Sequence, residues 1–523
     1  MKYETVIGLE VHAQLLTSSK MFCGCRADYA DSLPNTHVCP VCLGMPGVLP
    51  TINGQAVEYT VMTALALDCT IAGCSKFDRK NYPYPDLMKG YQISQYDVPL
   101  SHHGWLEIEI DNKKKGIGIT RVHLEEDVAK LLDRTDPSGE TYSLVDANRA
   151  GVPLMEIVSE PDLSSPDEAR LYLMRLHSLL RYLGVSTGNM EEGSFRCDAN
   201  ISLRSISRQS GGEGDYRLST IDYPRVEVKN MNSFKSVYLA LKYEEDRQRK
   251  VLEEGGSLVQ ETRGWDDDKE VTVAQRSKEY AHDYRYFPEP DLPPLILSSE
   301  WVEGIRARLP ELPVARRDRF MVQYGLSGYD ADLLTSARDF ADYFESCLKT
   351  SQESRVKSLE SPSLPHRTLD SRLQTPDSRL RGRAKAVANW MLGEYLRLLN
   401  LEGIGISESK ITPQHLAGML DLIEQGILST TLAKQVFEEM FHSGRQSDQI
   451  VAEKGLTLIS GTEEIAAVID QVLRENARAV ADFRGGKEQA LKFLVGQVMK
   501  ATKGRVKPDI VAGLIKEKLC TLL

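Results

Sequence analysis

The sequence predicts an α+β fold in which a mixed first part is followed by all-helical middle and tail domains. Up to about Pro294, short runs alternate apolar and polar residues between turn signals, the period-two signature of half-buried strands. Beyond it helical periodicity takes over, and 523 residues leave room for roughly three or four domains at about 100 to 200 residues each. The boundaries expected are 1–294 for the mixed domain, 295–405 for a helical domain and 406–523 for a helical tail.

The first strand carries Ile7, Leu9, Val11, Ala13 and Leu15 on one face and Glu10, His12 and Gln14 on the other. Next comes Cys23-Gly-Cys25, thirteen intervening residues, then Cys39-Pro-Val-Cys42. Two short knuckles of this kind supply four thiolates to a soft divalent ion, so a structural zinc site is expected, with His37 as an alternative ligand. Four protein ligands would leave no open position for catalysis. Near Thr120, Val122 and Leu124 oppose Arg121, His123, Glu125 and Asp127. A helix is expected from Ser165, with Pro166 at its first position, acids in its first turn and Gly184 at its end.

After Met190, Phe195, Cys197, Ala199, Ile201 and Leu203 alternate with Ser194, Arg196, Asp198, Asn200 and Ser202. Glu227 and Lys229 share a side in the same way. Solvent would explain any one such face. Glu, His, Asp, Asn, Arg and Lys together, however, can hold Mg²⁺ through oxygens and phosphate through cations. Residues 77–86 and 282–291 concentrate aromatics, prolines and basic groups, as extended ligand-facing loops do. Thr350 to Arg383, rich in Ser, Arg and Pro, reads as a disordered insertion in the helical domain. Helices follow over Ala386 to Leu399 and from Thr412-Pro413.

Charged residues are 27%, hydrophobic residues 41% and mean hydropathy −0.32, the profile of a globular protein with no membrane span. The N-terminus lacks the basic flank and apolar core of a signal peptide, so a cytoplasmic protein without disulfides is expected. A net charge of −11 excludes a protein that coats nucleic acid over most of its surface. The tail departs from that average: Asp482 to Lys518 holds nine basic residues against four acidic ones. Walker and Gly-x-Gly-x-x-Gly loops are absent, so a phosphate site would need metal and side-chain cations.

Glu4-Thr-Val-Ile-Gly-Leu-Glu-Val-His12, Lys76-Phe-Asp-Arg-Lys-Asn-Tyr82, Tyr91-Gln-Ile-Ser-Gln95, Glu156-Ile-Val-Ser-Glu-Pro-Asp162, Glu191-Glu-Gly-Ser194, Arg196-Cys-Asp-Ala-Asn200, Glu227-Val-Lys-Asn230, Asp283-Tyr-Arg-Tyr-Phe-Pro288 and Phe493-Leu-Val-Gly-Gln497 resemble the B-subunit family of the glutamyl/aspartyl-tRNA amidotransferases. The resemblance spans nearly the whole chain. It implies a cradle-shaped catalytic domain similar to glutamine synthetase and guanidino kinases, then a helical domain and a small tail that contacts tRNA. It also implies a ligase that uses ATP and Mg²⁺ to phosphorylate the side-chain carboxylate of Glu or Asp misacylated on tRNA(Gln) or tRNA(Asn). Ammonia from the amidase, or A, subunit then displaces phosphate, in an assembly held together by a small C subunit.

By the same resemblance Glu10, His12 and Glu125 map onto Mg²⁺ ligands, with Glu192 or its neighbour Glu191 as the next, and Cys23, Cys25, Cys39 and Cys42 onto the zinc site of those members that have one. Charge and strand side add Lys80, Arg196, Lys229 and Arg285 as catalytic residues facing phosphate or substrate carboxylate. Lys500, Lys503, Arg505 and Lys507, clustered where a helix ends near Gly504, are the expected tRNA contacts. A non-catalytic tRNA scaffold would not need Glu10, His12 and Glu125 to converge, and a free-standing small-molecule ligase would not need the basic tail.

Overall fold

The structure is a computed structural model and describes residues 2–111, 113–210, 216–275, 284–359, 376–456, 462–484, 487–502, 505–506 and 508–521. It falls into two compact units, divided between Leu312 and Pro313.

In the first unit the described residues form a ten-stranded sheet. Its strands are β1 (Lys2–Gln14), β2 (Thr70–Ile71), β3 (Ser101–Ile110), β4 (Lys113–Glu126), β5 (Pro153–Ser159), β6 (Phe195–Ser210), β7 (Tyr216–Asp222), β8 (Val226–Lys229), β9 (Glu261–Asp266) and β10 (Val271–Ala274). They lie in the order β10-β9-β8-β6-β1-β5-β4-β3-β2, with β7 against β6. Neighbours are antiparallel except β8 and β9, whose parallel pairing requires a crossover.

The alternation read from the sequence decides which face is buried. Ile7, Leu9, Val11 and Ala13 of β1, Val122 and Leu124 of β4, Phe195 through Leu203 at every second position of β6, and Val226 and Val228 of β8 all lie in the core. Against them pack the helices α1 (Gly54–Ala66), α2 (Pro166–Leu183) and α3 (Phe234–Glu253), the last supplying the β8–β9 crossover. The α2 helix is closed as its sequence demands. Ser165 Oγ accepts from Glu168 N (3.2 Å), Pro166 stands in the first turn, and Gly184 takes the left-handed conformation at the C-cap. Helices therefore cover one face of the sheet, and the other face keeps its polar residues.

Residues 295–312, where helical periodicity begins, stay with this first unit. The short helix α4 (Ser299–Arg306) buries Ile305 in the sheet–helix core, and Leu309 and Leu312 pack beside it. In the second unit one core, including Phe320, Phe344, Tyr395, Met419 and Phe437, runs on to Val451. Ile469, Val498 and Ile515 belong to a separate core built by the tail helices Thr462–Glu475, Glu488–Ala501 and Pro508–Thr521. The helices expected near Ala386 and from Pro413 are present, the latter capped by Thr412.

The expectation of disorder from Thr350 to Arg383 needs correction at both ends. The helix Arg338–Leu359 runs into that stretch and the helix Pro376–Trp390 begins inside it, while 360–375 lie outside the described residues. The physical reason is propagation. Phe340, Phe344, Cys347 and Leu348 anchor one helix, Ala384, Val387 and Ala388 the other, and a helix already nucleated extends into polar sequence at little cost.

Within the first unit, α3 is pinned to the sheet by a fully buried carboxylate. Glu244 accepts from Arg247 (2.9 and 2.8 Å), Gln248 Nε2 (3.2 Å) and Thr272 Oγ1, with Arg263 Nε 3.0 Å away. Burial works against its ionised form, but these donors outweigh burial and hold its pKa below the ordinary glutamate value. The stabilisation is therefore complete above that ordinary value and fades as pH falls through the lowered one. We expect Glu244→Leu to lower the stability of this unit by about 3 kcal/mol at neutral pH, because Arg247 and Arg263 lose a buried carboxylate and keep Glu261 as their remaining acidic partner. The deficit should shrink in thermal unfolding measured at progressively more acid pH; a deficit independent of pH would exclude the ionic origin.

Candidate active site and metal centres

The register of four strands builds the site. On the uncovered face His123 of β4 lies opposite Glu156 of β5, Glu156 opposite His12 of β1, and His12 opposite Arg196 of β6. Cross-strand partners share a face, so these four side chains form one row, and Glu125 stands two residues from His123 on the same side. His12 Nε2 is 3.7 Å from Glu125 Oε1 and 3.5 Å from Glu156 Oε2, and the ligating atoms of the three residues lie within 4.8 Å of one another.

The electrostatics are those of a cation site. Burial favours neutral imidazole at His12, but its contact with Glu156 and the charge of Glu125 override it and push the pKa up to about 9. Burial likewise disfavours ionised Glu156, yet the two imidazoles beside it hold the carboxyl well below its usual range. The protonated imidazole of His12 is thus the positive charge between the two carboxylates, and ligation of a metal there would displace its proton. Two hard oxygens and an imidazole nitrogen suit a divalent cation in that position.

Glu10 and Lys229 belong to the adjoining part of the same face. Glu10 lies opposite Asp198, and its Oε1 accepts from Asn200 Nδ2 (3.0 Å). Burial, with Glu156 and Asp198 nearby, pushes Glu10 above the usual carboxylate range. Lys229 Nζ bridges Asp198 Oδ2 (2.9 Å) and Glu227 Oε1 (3.0 Å). Glu191 and Glu192 are exposed on the turn after Met190, their amides donating to Asn189 Oδ1, and neither joins the three converging groups.

The two aromatic loops meet each other. Asp78–Asn81 pairs with Phe287–Pro288 on one side and Tyr91–Ser94 on the other, and Asn81 Nδ2 donates to the carbonyl of Arg285 (2.9 Å). Tyr82, Tyr284, Tyr286 and Tyr96 run as a chain of ring contacts 4.1 to 5.9 Å between centroids. Lys80 Nζ lies 5.1 Å from the Tyr284 ring centre. Burial would lower its pKa, but the charge of Glu125, then of Tyr286 and Glu156, raises it. Arg285 is exposed, with a left-handed backbone at φ 46°.

Three groups that matter here are not singled out as site residues by the sequence reading. Glu156 carries a usable signal, a lone carboxylate within the otherwise apolar Pro153-Leu-Met-Glu-Ile-Val run. His123 is visible as a member of a polar face. Asp127 is visible in the same way, but its partners are not. Arg196 Nη2 donates to Asp127 Oδ1 (3.1 Å), Gln14 Nε2 to Asp127 Oδ2 (2.7 Å), and Arg149 Nε stands 3.7 Å away.

The four cysteines also converge, with sulfurs within 4.8 Å of one another. Thiolates about 2.3 Å from zinc at tetrahedral angles lie about 3.8 Å apart, so the donor set fits that ion. Cys39 N donates to Cys42 Sγ (3.1 Å), and buried Lys20 Nζ reaches the same sulfur at 3.7 Å. Cys42 is pulled down to about 5, first by the hydrogen bond from Cys23 and further by Lys20. His37, the alternative ligand, lies outside the quartet, its Nε2 3.2 Å from Ser32 Oγ. In the tail, Lys500 lies in the last turn of the helix Glu488–Ala501, and Arg505 folds back so that Nε donates to Thr502 O (3.4 Å) and Nη1 to Gly455 O (3.5 Å). Lys503 and Lys507 lie outside the described residues.

Comparison with known proteins bears on both units. Residues 5–303 match the family described as "GatB/GatE catalytic domain" and residues 378–519 that described as "GatB domain". A protein of Dehalococcoides mccartyi, named as the B subunit of an aspartyl/glutamyl-tRNA(Asn/Gln) amidotransferase, is 54% identical over 520 residues, covering 99% of both chains. Proteins of the same name from Carboxydothermus hydrogenoformans, with 51% identity over the whole of both chains, and Thermomicrobium roseum, with 53% identity over 99% of both, agree.

Asp127 offers a test of how the row is held. We expect Asp127→Ala to destabilise the first unit by about 3 to 5 kcal/mol, because Arg196 and Arg149 lose the carboxylate between them. Calorimetric unfolding of the assembly measures it, and a loss below about 1 kcal/mol would show that solvent already satisfies both guanidinia.

Proposed function

The chain belongs to the GatB/GatE family of tRNA-dependent amidotransferase subunits, and from that membership and the polar sheet face we propose the reaction it carries out. It activates the side-chain carboxylate of Glu or Asp misacylated on tRNA(Gln) or tRNA(Asn) by phosphorylation from ATP. Amidation then yields Gln-tRNA(Gln) or Asn-tRNA(Asn), with ammonia delivered by a glutaminase partner, the amidase A subunit, in an assembly with the small C subunit. The observation that carries the reading is the convergence of His12, Glu125 and Glu156, with cationic Arg196 across from His12 in the strand register.

The chemistry makes the demand that such a face answers. A carboxylate is a poor acceptor for ammonia at neutral pH, because its negative charge repels the nucleophile and its leaving group would be oxide. Transfer of the γ-phosphoryl group to a carboxylate oxygen gives an acyl phosphate, whose phosphate ammonia displaces. Neither step needs a protein nucleophile; both need positioned charge. His12, Glu125 and Glu156, with Glu10 beside them, are the residues we assign to Mg²⁺, which when bound supplies charge neutralisation at the phosphate oxygens. Lys80, Arg196 and Lys229 orient the phosphates and the substrate carboxylate, and Arg285, on the loop bonded to Asn81, is the outermost cation of the set. Glu192 or Glu191 enters this scheme only from the exposed turn. The cradle layout implied by the family suits a sheet with one open polar face.

Zinc at Cys23, Cys25, Cys39 and Cys42 is proposed as structural support. The basic tail, through Lys500, Arg505, Lys503 and Lys507, is proposed to contact tRNA phosphates. Among the described residues no helix is long and apolar enough to cross a membrane, and the cytoplasm, where charged tRNA is made and used, is the proposed setting.

The assembly incubated with ATP, glutamine and each misacylated tRNA should release Gln or Asn on deacylation of the product. Glu125→Gln should lower that yield by at least about 100-fold while tRNA affinity at fixed salt stays within twofold, since a neutral amide replaces one charge at the cation site. Retained activity in this variant would remove Glu125 from the chemistry. Metal analysis should find about one zinc per chain, lost in Cys39→Ser/Cys42→Ser together with several degrees of thermal stability. Wild-type protein free of zinc yet equally stable would refute the structural role.

A further inference from the structure

His123 sits at the end of the row but outside the three converging ligand groups. It is 2% exposed, although an imidazole on the uncovered face of a sheet has no packing need to be so enclosed. Its Nε2 is 3.3 Å from Glu156 Oε2, the same oxygen that His12 Nε2 approaches at 3.5 Å. Its other nitrogen, Nδ1, is buried with no hydrogen-bond partner among the described residues.

The orphaned nitrogen fixes the tautomer. A proton on Nδ1 would bury an unsatisfied N–H, whereas a proton on Nε2 faces an ionised carboxylate and leaves Nδ1 as a bare lone pair. Nε2–H therefore points at Glu156. From the neighbouring strands the groups facing His123 are Glu156 on β5 and, one row away, His102 of β3 opposite Arg121; on its own strand they are Arg121 and Glu125. Among these Glu156 is the acceptor placed directly across in the register. A glutamate on a strand has three side-chain torsions to settle, and a donor on one side of its carboxylate removes much of that freedom.

We propose that His123 is a positioning residue for the cation site: by donating Nε2–H to Glu156 it holds that carboxylate turned toward His12 and Glu125, without touching ion or substrate. The inference rests on the assignment of a divalent cation to His12, Glu125 and Glu156. A ligand's outer hydrogen bond of this kind typically contributes 10- to 100-fold to metal affinity.

The test titrates the purified assembly with Mn²⁺ alone, without ATP or tRNA, following free ion by electron paramagnetic resonance. His123→Ala should weaken Mn²⁺ binding by about 10- to 100-fold. His123→Gln, whose amide nitrogen reaches about as far as Nε2, should recover most of that loss. In activity assays His123→Ala should raise the Mg²⁺ concentration for half-maximal rate while kcat at saturating Mg²⁺ stays within about threefold. His123→Leu, which fills the space without a donor, replaces the alanine variant if that one fails to assemble. Unchanged Mn²⁺ affinity in His123→Ala or His123→Leu, alongside its loss in Glu156→Gln, would overturn the positioning role and leave the cation site standing. Unchanged affinity in Glu156→Gln as well would overturn both.

Discussion

Strand register is the constraint on which the polar face depends. His123, Glu156, His12 and Arg196 come from segments separated by up to 184 positions in the chain, and they meet because β4, β5, β1 and β6 pair in one particular alignment. A slip of one residue along any of these strands would turn its polar set into the core and its apolar set out. The apolar faces of Ile7, Leu9, Val11, Val122, Leu124 and Ile157, all within 1% of complete burial, forbid that slip. The same hydrophobic burial that stabilises the sheet against its helices thus fixes where the acidic and basic groups point, and the site needs no separate folding device.

Charge balance on that face is local. Asp127 neutralises Arg196, Asp198 and Glu227 neutralise Lys229, and His12 stands between Glu125 and Glu156. Each cation is thereby held in place before any ligand arrives, so the orientation entropy of long side chains is already lost in the folded protein. The consequence is that an anionic ligand competes with resident carboxylates for Arg196 and Lys229, and only a strongly charged group such as a polyphosphate competes well. A weak anion such as an isolated carboxylate gains less. In the proposed reaction, a preference for phosphate would follow from this pairing rather than from an unpaired basic surface.

What could be read from the sequence follows the reach of its periodicities. The apolar and polar faces of β1, β6 and β8 were legible because a period of two fixes the side of every residue, and the α2 helix was legible because Ser165-Pro166 and Gly184 encode its ends chemically. The cysteine quartet was legible from spacing alone. Which residue faces which across strands was not, since register is settled by tertiary packing; Glu156 could be suspected as a buried acid, but its place between His12 and His123 could not. Helical periodicity marks the change of structure at Pro294, yet periodicity says nothing about which core a helix joins. Ile305 of α4 packs into the first unit, and the division falls at Leu312. Composition also misjudged the ends of the Ser- and Arg-rich stretch, because it measures what a segment can bury and not the helices already running into it from anchored neighbours.

The cysteine module and the polar face are connected by hydrogen bonds, a route that suits the supporting role proposed for the module. Tyr29 lies in the loop between the two cysteine pairs, and its hydroxyl accepts from Gln14 Nε2 (3.0 Å), which also donates to Asp127 Oδ2 (2.7 Å). Asp127 in turn holds Arg196 (3.1 Å). On the other side buried Lys20 donates to the carbonyls of His37 (2.7 Å) and Ala147 (3.3 Å) as well as reaching Cys42, so the module is tied to the residues that precede β5. In the proposed structural role, a metal held by the quartet would act on Arg196 through this one chain of hydrogen bonds. That chain has a parallel. Asp127 also faces Arg149, whose guanidinium donates to the carbonyls of Val128 (2.8 Å) and Ala129 (2.9 Å), and it accepts Gln14 whether or not Tyr29 is there. Asp127 thus keeps two partners besides the loop, Arg149 and Gln14, and its hold on Arg196 does not run through Tyr29 alone.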